Sequence, residues 1–394
     1  MPEPTHVYLD LDVVNNDFNA SAPQLRFEET RNTPFLDGDA AEYFCSVVRF
    51  SIQTGDALPV IIPSIETGQP DRNKTAYQIT LKEWRNELES SPSLITTVSV
   101  MFEPEDLVAP VAMPPLEKQD LSGSYYYIYN YFHFIKMINM ALETAVRDLV
   151  RQWRVENGVS TGYFFDNVVG VYFDFDTTTN RAILNLDADF ANSSPMEVYF
   201  NDRLYRLFTG LPAHYVSSTG NMNYKIRMDY TIANQTVIKL DHTRVVNGTS
   251  NLTKTTKTML QIPQEICSIA MWSPVASIVF ATSLLPIVPT QTSATKTLGT
   301  NNLVSRGNNS NLFSIISDFS VAVDMNNQYR PNILYNPGAE YRLLDMNSLM
   351  NLTRVDLMVF WKDVFGNMHP FELLPGCSAH VKLLFRKKEF NNIS

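Results

Sequence analysis

Short apolar runs interrupted by Gly, Pro and Asp set the pattern of the first hundred residues. Phe44 to Ile52, Val60 to Ile65, Thr75 to Leu81 and Leu94 to Phe102 are each of strand length and rich in β-branched and aromatic residues. Turn residues such as Thr54-Gly55-Asp56 and Pro70-Asp71 bound them, which is the rhythm of an antiparallel sandwich. The same texture returns later in the chain. It predicts strands at Thr236 to Leu240, Met259 to Ile262, Ser277 to Ala281, Leu312 to Met325, Val355 to Phe360 and Ala379 to Phe385.

A different pattern lies between these blocks. Four prolines in Glu103 to Leu121 predict a linker or extended arm. In Tyr125 to Trp153, Phe132, Ile135, Ile138, Leu142, Ala145, Leu149 and Trp153 recur at three- and four-residue steps, which predicts one long amphipathic helix ending near Asn157-Gly158. Val168 to Asp174 and Ala182 to Asp187 read as a hairpin joined by Asp176 to Asn180. Met196 to Phe208 reads as a short helix, capped by Ser193 or Ser194 before Pro195 and stopped by Gly210. Thr290 to Asn311 is Thr/Ser/Asn/Gly-rich without periodicity, and a long mobile loop is expected there.

Composition narrows the function classes. Of the 394 residues 44% are hydrophobic and only 18% charged, below the roughly 25% of an average soluble domain; disordered, coiled-coil and ribosomal-type basic proteins are excluded. The 31 basic and 41 acidic residues give a net charge of −10, which repels a phosphate backbone. Arg386, Lys387 and Lys388 form the one basic cluster. It is either a contact for genome or an acidic partner, or a solvated terminal strand. Met1 to Asp12 has no apolar segment behind positive charges, and the longest apolar stretch, Ile278 to Val288, is far short of the roughly 20 residues a span needs. No membrane span and synthesis in the cytosol are expected.

No chemistry-bearing motif stands out. Cys45, Cys267 and Cys377 are widely spaced in apolar segments and read as small buried hydrophobes. None of the six histidines, His6, His133, His214, His242, His369 and His380, falls in a metal-binding frame. Asp174-x-Asp176-x-Thr178 comes nearest to a calcium loop, but it lacks the glycine and the distal glutamate. Phosphate-cradling and nucleophile-elbow motifs are absent from the sequence. The reading is therefore no cofactor, no metal and no enzyme; an enzyme would need distant histidines and carboxylates to converge within hydrogen-bond reach. Tyr125, Tyr126 and Tyr127 open an aromatic run with no basic residue before Lys136. They are a candidate stacking or subunit-contact surface, or else an aromatic entry to the helix packed in the core.

Whole segments carry a resemblance. Leu25 to Asp37 (LRFEETRNTPFLD), running into Tyr43 to Ile52 and Leu58 to Pro63, resembles the N-terminal part of penton and minor capsid proteins of small eukaryotic DNA viruses of the virophage, polinton-like and adintovirus group. Val355 to Phe371 with Leu374 to Lys388, and Arg330 to Pro337, are similar to their later strands. Together these cover about half the chain. The resemblance implies a single jelly roll; the helical block, which resembles nothing, reads from its own pattern as an inserted α+β domain, so the fold expected is mainly β. By the same resemblance, copies of the chain would form a five-fold vertex beside a different major capsid protein. Expected boundaries are an N-terminal arm over 1–39, the roll over 40–119 and 231–394, and the insertion over 120–230. Implied partners are four further copies of the chain and the major capsid protein, with a host receptor or spike as a further candidate. Two alternatives stay open: a double jelly-roll major capsid protein, and a carbohydrate- or receptor-binding sandwich of a virion spike.

Overall fold

The structure, a computed structural model, describes residues 5–17, 24–53, 57–83, 93–105, 124–158, 170–188, 196–228, 235–246, 249–291, 296–298, 303–305, 312–321, 332–337 and 342–388. In chain order it opens with β1 (His6–Val14), β2 (Arg26–Thr30), β3 (Tyr43–Gln53), β4 (Lys74–Glu83) and β5 (Ile95–Met101). Next come α1 (Tyr131–Asn157), β6 (Tyr172–Asp176), β7 (Arg181–Asp187), β8 (Met196–Phe200) and α2 (Asp202–Leu207). Then follow β9 (Ala213–Tyr215), β10 (Tyr224–Ile226), β11 (Gln235–Val246), β12 (Thr249–Pro263), β13 (Val275–Thr282) and β14 (Thr290–Gln291). The last are β15 (Lys296–Leu298), β16 (Leu303–Ser305), β17 (Leu312–Phe319), β18 (Asn332–Tyr335), β19 (Leu344–Asp345), β20 (Arg354–Asp363), β21 (Met368–Pro370) and β22 (Ser378–Lys387). The chain divides into two compact units at Val60/Ile61 and Ser273/Pro274.

The first unit joins the two ends of the chain in a jelly roll of two antiparallel sheets. One has the order β1-β22-β3-β18, with β19 also on β3; the other has the order β14-β17-β13-β20-β2, with β21 on β20. Alternation decides which side chains turn inward: Val355, Leu357, Val359 and Trp361 of β20 and Ala379, Val381 and Leu383 of β22 are buried. The sheets meet at Phe50 of β3 and Phe280 of β13, whose ring centroids are 5.0 Å apart in an edge-on pair. Phe319 of β17 stacks on Phe280 at 5.7 Å. Each fully buried ring contributes about 1.5–3 kcal/mol by removal from water.

Two buried carboxylates fix the connections of this roll. Asp356, in β20, accepts hydrogen bonds from Thr282 Oγ1 (2.6 Å), Ser283 N (3.0 Å), Ser283 Oγ (2.6 Å), Leu284 N (2.9 Å) and Arg26 Nη2 (3.2 Å). The end of β13, the turn after it and β2 are thereby tied to one strand. Asp363 accepts from Phe365 N, Asn367 N, Asn367 Nδ2 and His369 Nε2 at 2.8–3.0 Å, closing the turn between β20 and β21. Burial raises both acids, but these hydrogen bonds outweigh it and hold each below the usual carboxylate range.

In the second unit, one sheet has the order β5-β4-β8-β10-β9 and the other β11-β12-β7-β6. Helix α1 packs on β4, β5 and β6. It begins where the Asn130 side chain accepts from Phe132 N (2.8 Å) and ends at Gly158, whose φ of 62° suits the left-handed closing residue. Its buried face, with Phe134, Ile138, Leu142, Ala145 and Leu149, follows the three-to-four spacing. Phe134 meets Trp272 at 5.2 Å, Trp272 meets Phe208 at 5.4 Å, and Phe208 stacks on Phe173 at 4.7 Å, so an aromatic chain forms this core.

Several expected elements lie elsewhere. β4 and β5, expected in the roll, pair with each other in the second unit, where β4 also pairs with β8. β11 and β12, placed by sequence after the insertion, join β7 and β6 there. The division points therefore differ from 119/120 and 230/231, because hydrogen-bond ladders and not composition decide which unit a strand joins. The segment expected to be an arm over 1–39 supplies an edge strand to each sheet of the roll, β1 and β2. Met196 to Phe200 is a strand and not a helix: all five side chains are buried, so Val198, Tyr199 and Phe200 pack on both faces and helix formation waits for the Asn201 cap, which accepts from Leu204 N. Ser193, Ser194 and Pro195 lie outside the described residues, as do most of Glu103 to Leu121 and much of Thr290 to Asn311. Where 290–311 is described, it forms β14, β15 and β16. β17 ends at Phe319, short of Met325.

Replacing Asp356 with Ala should cost about 3 kcal/mol or more in urea unfolding of the first unit, because it strands several buried donors together. The acid limb has a definite sign. Asp356 and Asp363 have folded pKa values below the unfolded one, so their stabilisation is fully present above about pH 4 and is lost as pH falls further toward the folded values. Asp356→Asn should flatten that loss in a pH series of denaturation midpoints.

Candidate assembly surface

Of the two readings of the tyrosine run, a surface and a core-packed entry to the helix, the structure has the second. Tyr125, Tyr126 and Tyr127 are 8%, 2% and 7% exposed. Tyr126 donates its hydroxyl to Arg72 O (2.9 Å), Tyr125 to Asn73 Oδ1 (3.1 Å), and both rings lie against Phe102. They form the packed aromatic entry to α1, and they offer no stacking face to a sugar or a base.

The basic cluster is committed within the chain. Lys388 donates to Ala41 O (2.8 Å) and Met346 O (3.3 Å), pairs with Asp345 (3.0 Å) and lies over the Phe44 ring. Lys387 is 3.7 Å from Glu42 and lies over the Tyr43 ring. Arg386 is exposed, opposite His6 in the ladder. A patch for nucleic acid is therefore reduced to one exposed guanidinium beside two internally used ammonium groups.

Those lysines anchor a feature that no motif announced. The segment from Met346 to Thr353 is held by its own backbone on several sides: Met346 N donates to Tyr43 O, Asn347 N to Pro286 O, and the carbonyls of Ser348, Met350 and Leu352 accept from Ala41, Ala40 and Phe35. On this fixed frame Leu349 and Met350 point outward, 81% and 76% exposed. Ile287, bridged to Met346, brings the exposed Val288 to the flank of the same segment. Three large apolar side chains thus stand together in water on and beside a backbone held by hydrogen bonds on several sides. The sequence signal for it is slight: in Asp345-Met346-Asn347-Ser348-Leu349-Met350 large apolar residues stand among polar ones without helical or strand period.

Among the described residues two histidines lie within hydrogen-bond reach of a carboxylate. His369 reaches Asp363 (3.0 Å) and His380 reaches Asp12 (2.6 Å). In the first pair the imidazole is stacked on Trp361 at 4.1 Å and the carboxylate is filled by the turn it closes; the second is a cross-strand pair on an open sheet face. Asp176 accepts from Thr178 N and Thr179 Oγ1, and Asp174 from Asn185 Nδ2, so both serve the β6–β7 hairpin. Among the described residues no group of three or more His, Cys, Asp or Glu side chains is placed to hold a metal ion. Cys45 is buried, its thiol pushed up to about 12 by desolvation.

Comparison with known proteins decides the family. The family model of the Sputnik minor capsid protein V18/19 matches residues 7–387.

The chain belongs to this family.

Two curated relatives come from Sputnik virophage. The uncharacterized protein V18 is 31% identical over 148 residues, which is 37% of this chain and 86% of V18. The structural protein V19 is 23% identical over 226 residues, 56% of this chain and 95% of V19. Among solved structures, a chain of the cryo-EM Sputnik virophage particle superposes with a TM-score of 0.74 at 24% identity, covering 98% of this chain and 99% of its own. The mavirus penton protein superposes with a TM-score of 0.60 at 15% identity, covering 98% and 100%. The protein of this chain is a structural component of a virion capsid and not an enzyme. The alternatives of a double jelly-roll major capsid protein and a spike sandwich are not favoured, because the family matched over residues 7–387 is that of a minor capsid protein.

Leu349→Asp combined with Met350→Asp should leave the unfolding midpoint nearly unchanged, within about 0.5 kcal/mol, because both side chains are already in water. The same change should weaken association of the protein measured by sedimentation velocity.

Proposed function

We propose that this minor capsid protein is the penton: five copies close into a ring at the five-fold vertex, seated against a different, major capsid protein. One observation carries the reading most directly, the full-length fold shared with a protein that bears the name penton, covering 98% of this chain and 100% of that one. Heterologous contacts between jelly rolls, each using one surface on one copy and a different surface on the next, close after a fixed rotation into a ring. The rigid Leu349–Met350 projection with Val288 is suited to be one half of such a contact. The net charge of −10 favours contacts with protein over the genome. Synthesis in the host cytosol before packaging into the shell fits this role.

The mass of the purified protein tests the ring. Native mass spectrometry across a concentration series should show a species of about five times 44.8 kDa, and the Leu349→Asp, Met350→Asp variant should shift it toward the monomer. A trimer at every concentration would overturn the penton reading.

A further inference from the structure

We propose that β1 is a docking edge that takes up an extended polypeptide segment, carrying basic side chains at alternate positions, as an added antiparallel strand of the roll. The proposal rests on the capsid role of the chain but not on a five-fold ring.

β1 stands at the end of its sheet and pairs with β22 through nine consecutive positions, from His6 opposite Arg386 to Val14 opposite Ser378, with no register shift. The hydrogen bonds just beyond its two ends reveal which backbone groups are used. Lys387 N donates to Thr5 O, and Asn15 N donates to Cys377 O. In an antiparallel ladder, hydrogen-bonded pairs alternate with pairs whose N–H and C=O groups turn the other way. The odd-numbered residues from Thr5 to Asn15 therefore face β22. His6, Tyr8, Asp10, Asp12 and Val14 direct their N–H and C=O groups to the open side, where no strand of the described residues pairs with them.

Natural edges are blunted by proline, a bulge, brevity, a cover or charged side chains. HVYLDLDVV contains no Pro or Gly, is unbulged and is nine residues long; its charges are the acids Asp10 and Asp12, which disfavour an acidic strand and favour a basic one. The inner side chains Leu9 and Leu11 are buried and lock the register of the strand, so the free groups form a fixed template. The outer face sets the chemistry of the occupant. Tyr8, Asp10 and Asp12 are exposed there in a row. Lys382 and His380 lie on the β22 side of the two acids, at 3.2 Å and 2.6 Å, which leaves the opposite side of each carboxylate to an incoming strand. A residue of that strand directly across from Asp10 or Asp12 is stabilised when basic and penalised when acidic. Main-chain pairing supplies affinity and the alternate side chains supply selection.

Hydrogen exchange on the full-length protein tests this, with a short peptide alternating lysine and valine as the probe and one alternating glutamate and valine as its control. The basic peptide should protect the amides of Tyr8, Asp10, Asp12 and Val14, and the acidic one should not. Asp10→Lys with Asp12→Lys should weaken binding by at least about tenfold, since both facing charges then repel the probe. Asp10→Pro removes an outward N–H together with the exposed carboxylate on Lys382 but no hydrogen bond to β22, so the ladder and the thermal midpoint should persist while peptide binding is lost. Binding that leaves those amides unprotected, or survives Asp10→Pro intact, would overturn the docking edge. Protection that appears on self-association without peptide would overturn the basic segment in favour of a second copy. A monomeric mass with peptide protection would remove the ring and leave the edge standing; a five-subunit mass with an edge that takes no peptide would do the reverse.

Discussion

Strand β22 lies between β1 and β3, and the first sheet of the roll exists only because of that placement. The last described strand must meet the first and the third across nearly the whole length of the chain. Entropy opposes such distant pairings until both partners are in hand, although the cost grows only slowly with loop length. The second unit shortens the problem by closing its own sheets within residues 61–273, which leaves Val60 and Pro274 as the ends of a folded insert instead of a loose loop. The aromatic core around Phe134, Phe208 and Trp272 thus closes within one stretch of chain, whereas the sheet that β22 completes joins its two far parts.

Once that sheet forms, buried carboxylates give the sandwich its definition. Apolar packing between Phe50, Phe280 and Phe319 is tolerant of small shifts, whereas Asp356 has distinct donors at fixed angles from Thr282, Ser283, Leu284 and Arg26. A carboxylate away from water is costly unless every lone pair finds a donor. Its presence thus selects one arrangement of the β13 turn and β2 over near alternatives, and Asp363 does the same for the turn after β20. A shell subunit gains from this, because surfaces presented to neighbours must be repeated in every copy.

The legibility of the chain follows the range of the forces involved. The existence and end of α1 are readable because its period and its Gly158 exit are local; its start is not, for the pattern runs back to Tyr125 while the Asn130 cap begins the helix at Tyr131. The hairpin at Asp176 to Asn180 was readable for the same reason, its turn being written in Asp176, Thr178 and Thr179. Strand existence was mostly visible too, yet partnership was not: nothing in Thr75 to Leu81 says that it will pair with Val198 and Tyr199 and not with the roll. Met196 to Phe200 misled because Pro195 and nearby serines resemble a helix start, while two-sided burial, a tertiary fact, makes it a strand. Exposure was the least legible property. Tyr126 and Leu349 are both large and apolar; for the first the sequence leaves a surface and a core reading open and the fold seals it in the core, while nothing around the second signals that it stands in water.

That last contrast bears on how an assembling protein is recognised. A monomeric enzyme hides its large apolar side chains and gathers polar ones in a cleft; here the polar convergences hold internal turns, and the large apolar groups at Leu349, Met350 and Val288 are left outside on a braced backbone. Lys387 and Lys388 illustrate the shift in meaning. In sequence they end a basic run suited to phosphate, whereas in the fold Lys388 binds two carbonyls of the segments that brace the projection. A basic run that reads in sequence either as a contact for an acidic partner or genome or as a solvated strand is used, at Lys388, to hold the backbone beneath exposed apolar side chains.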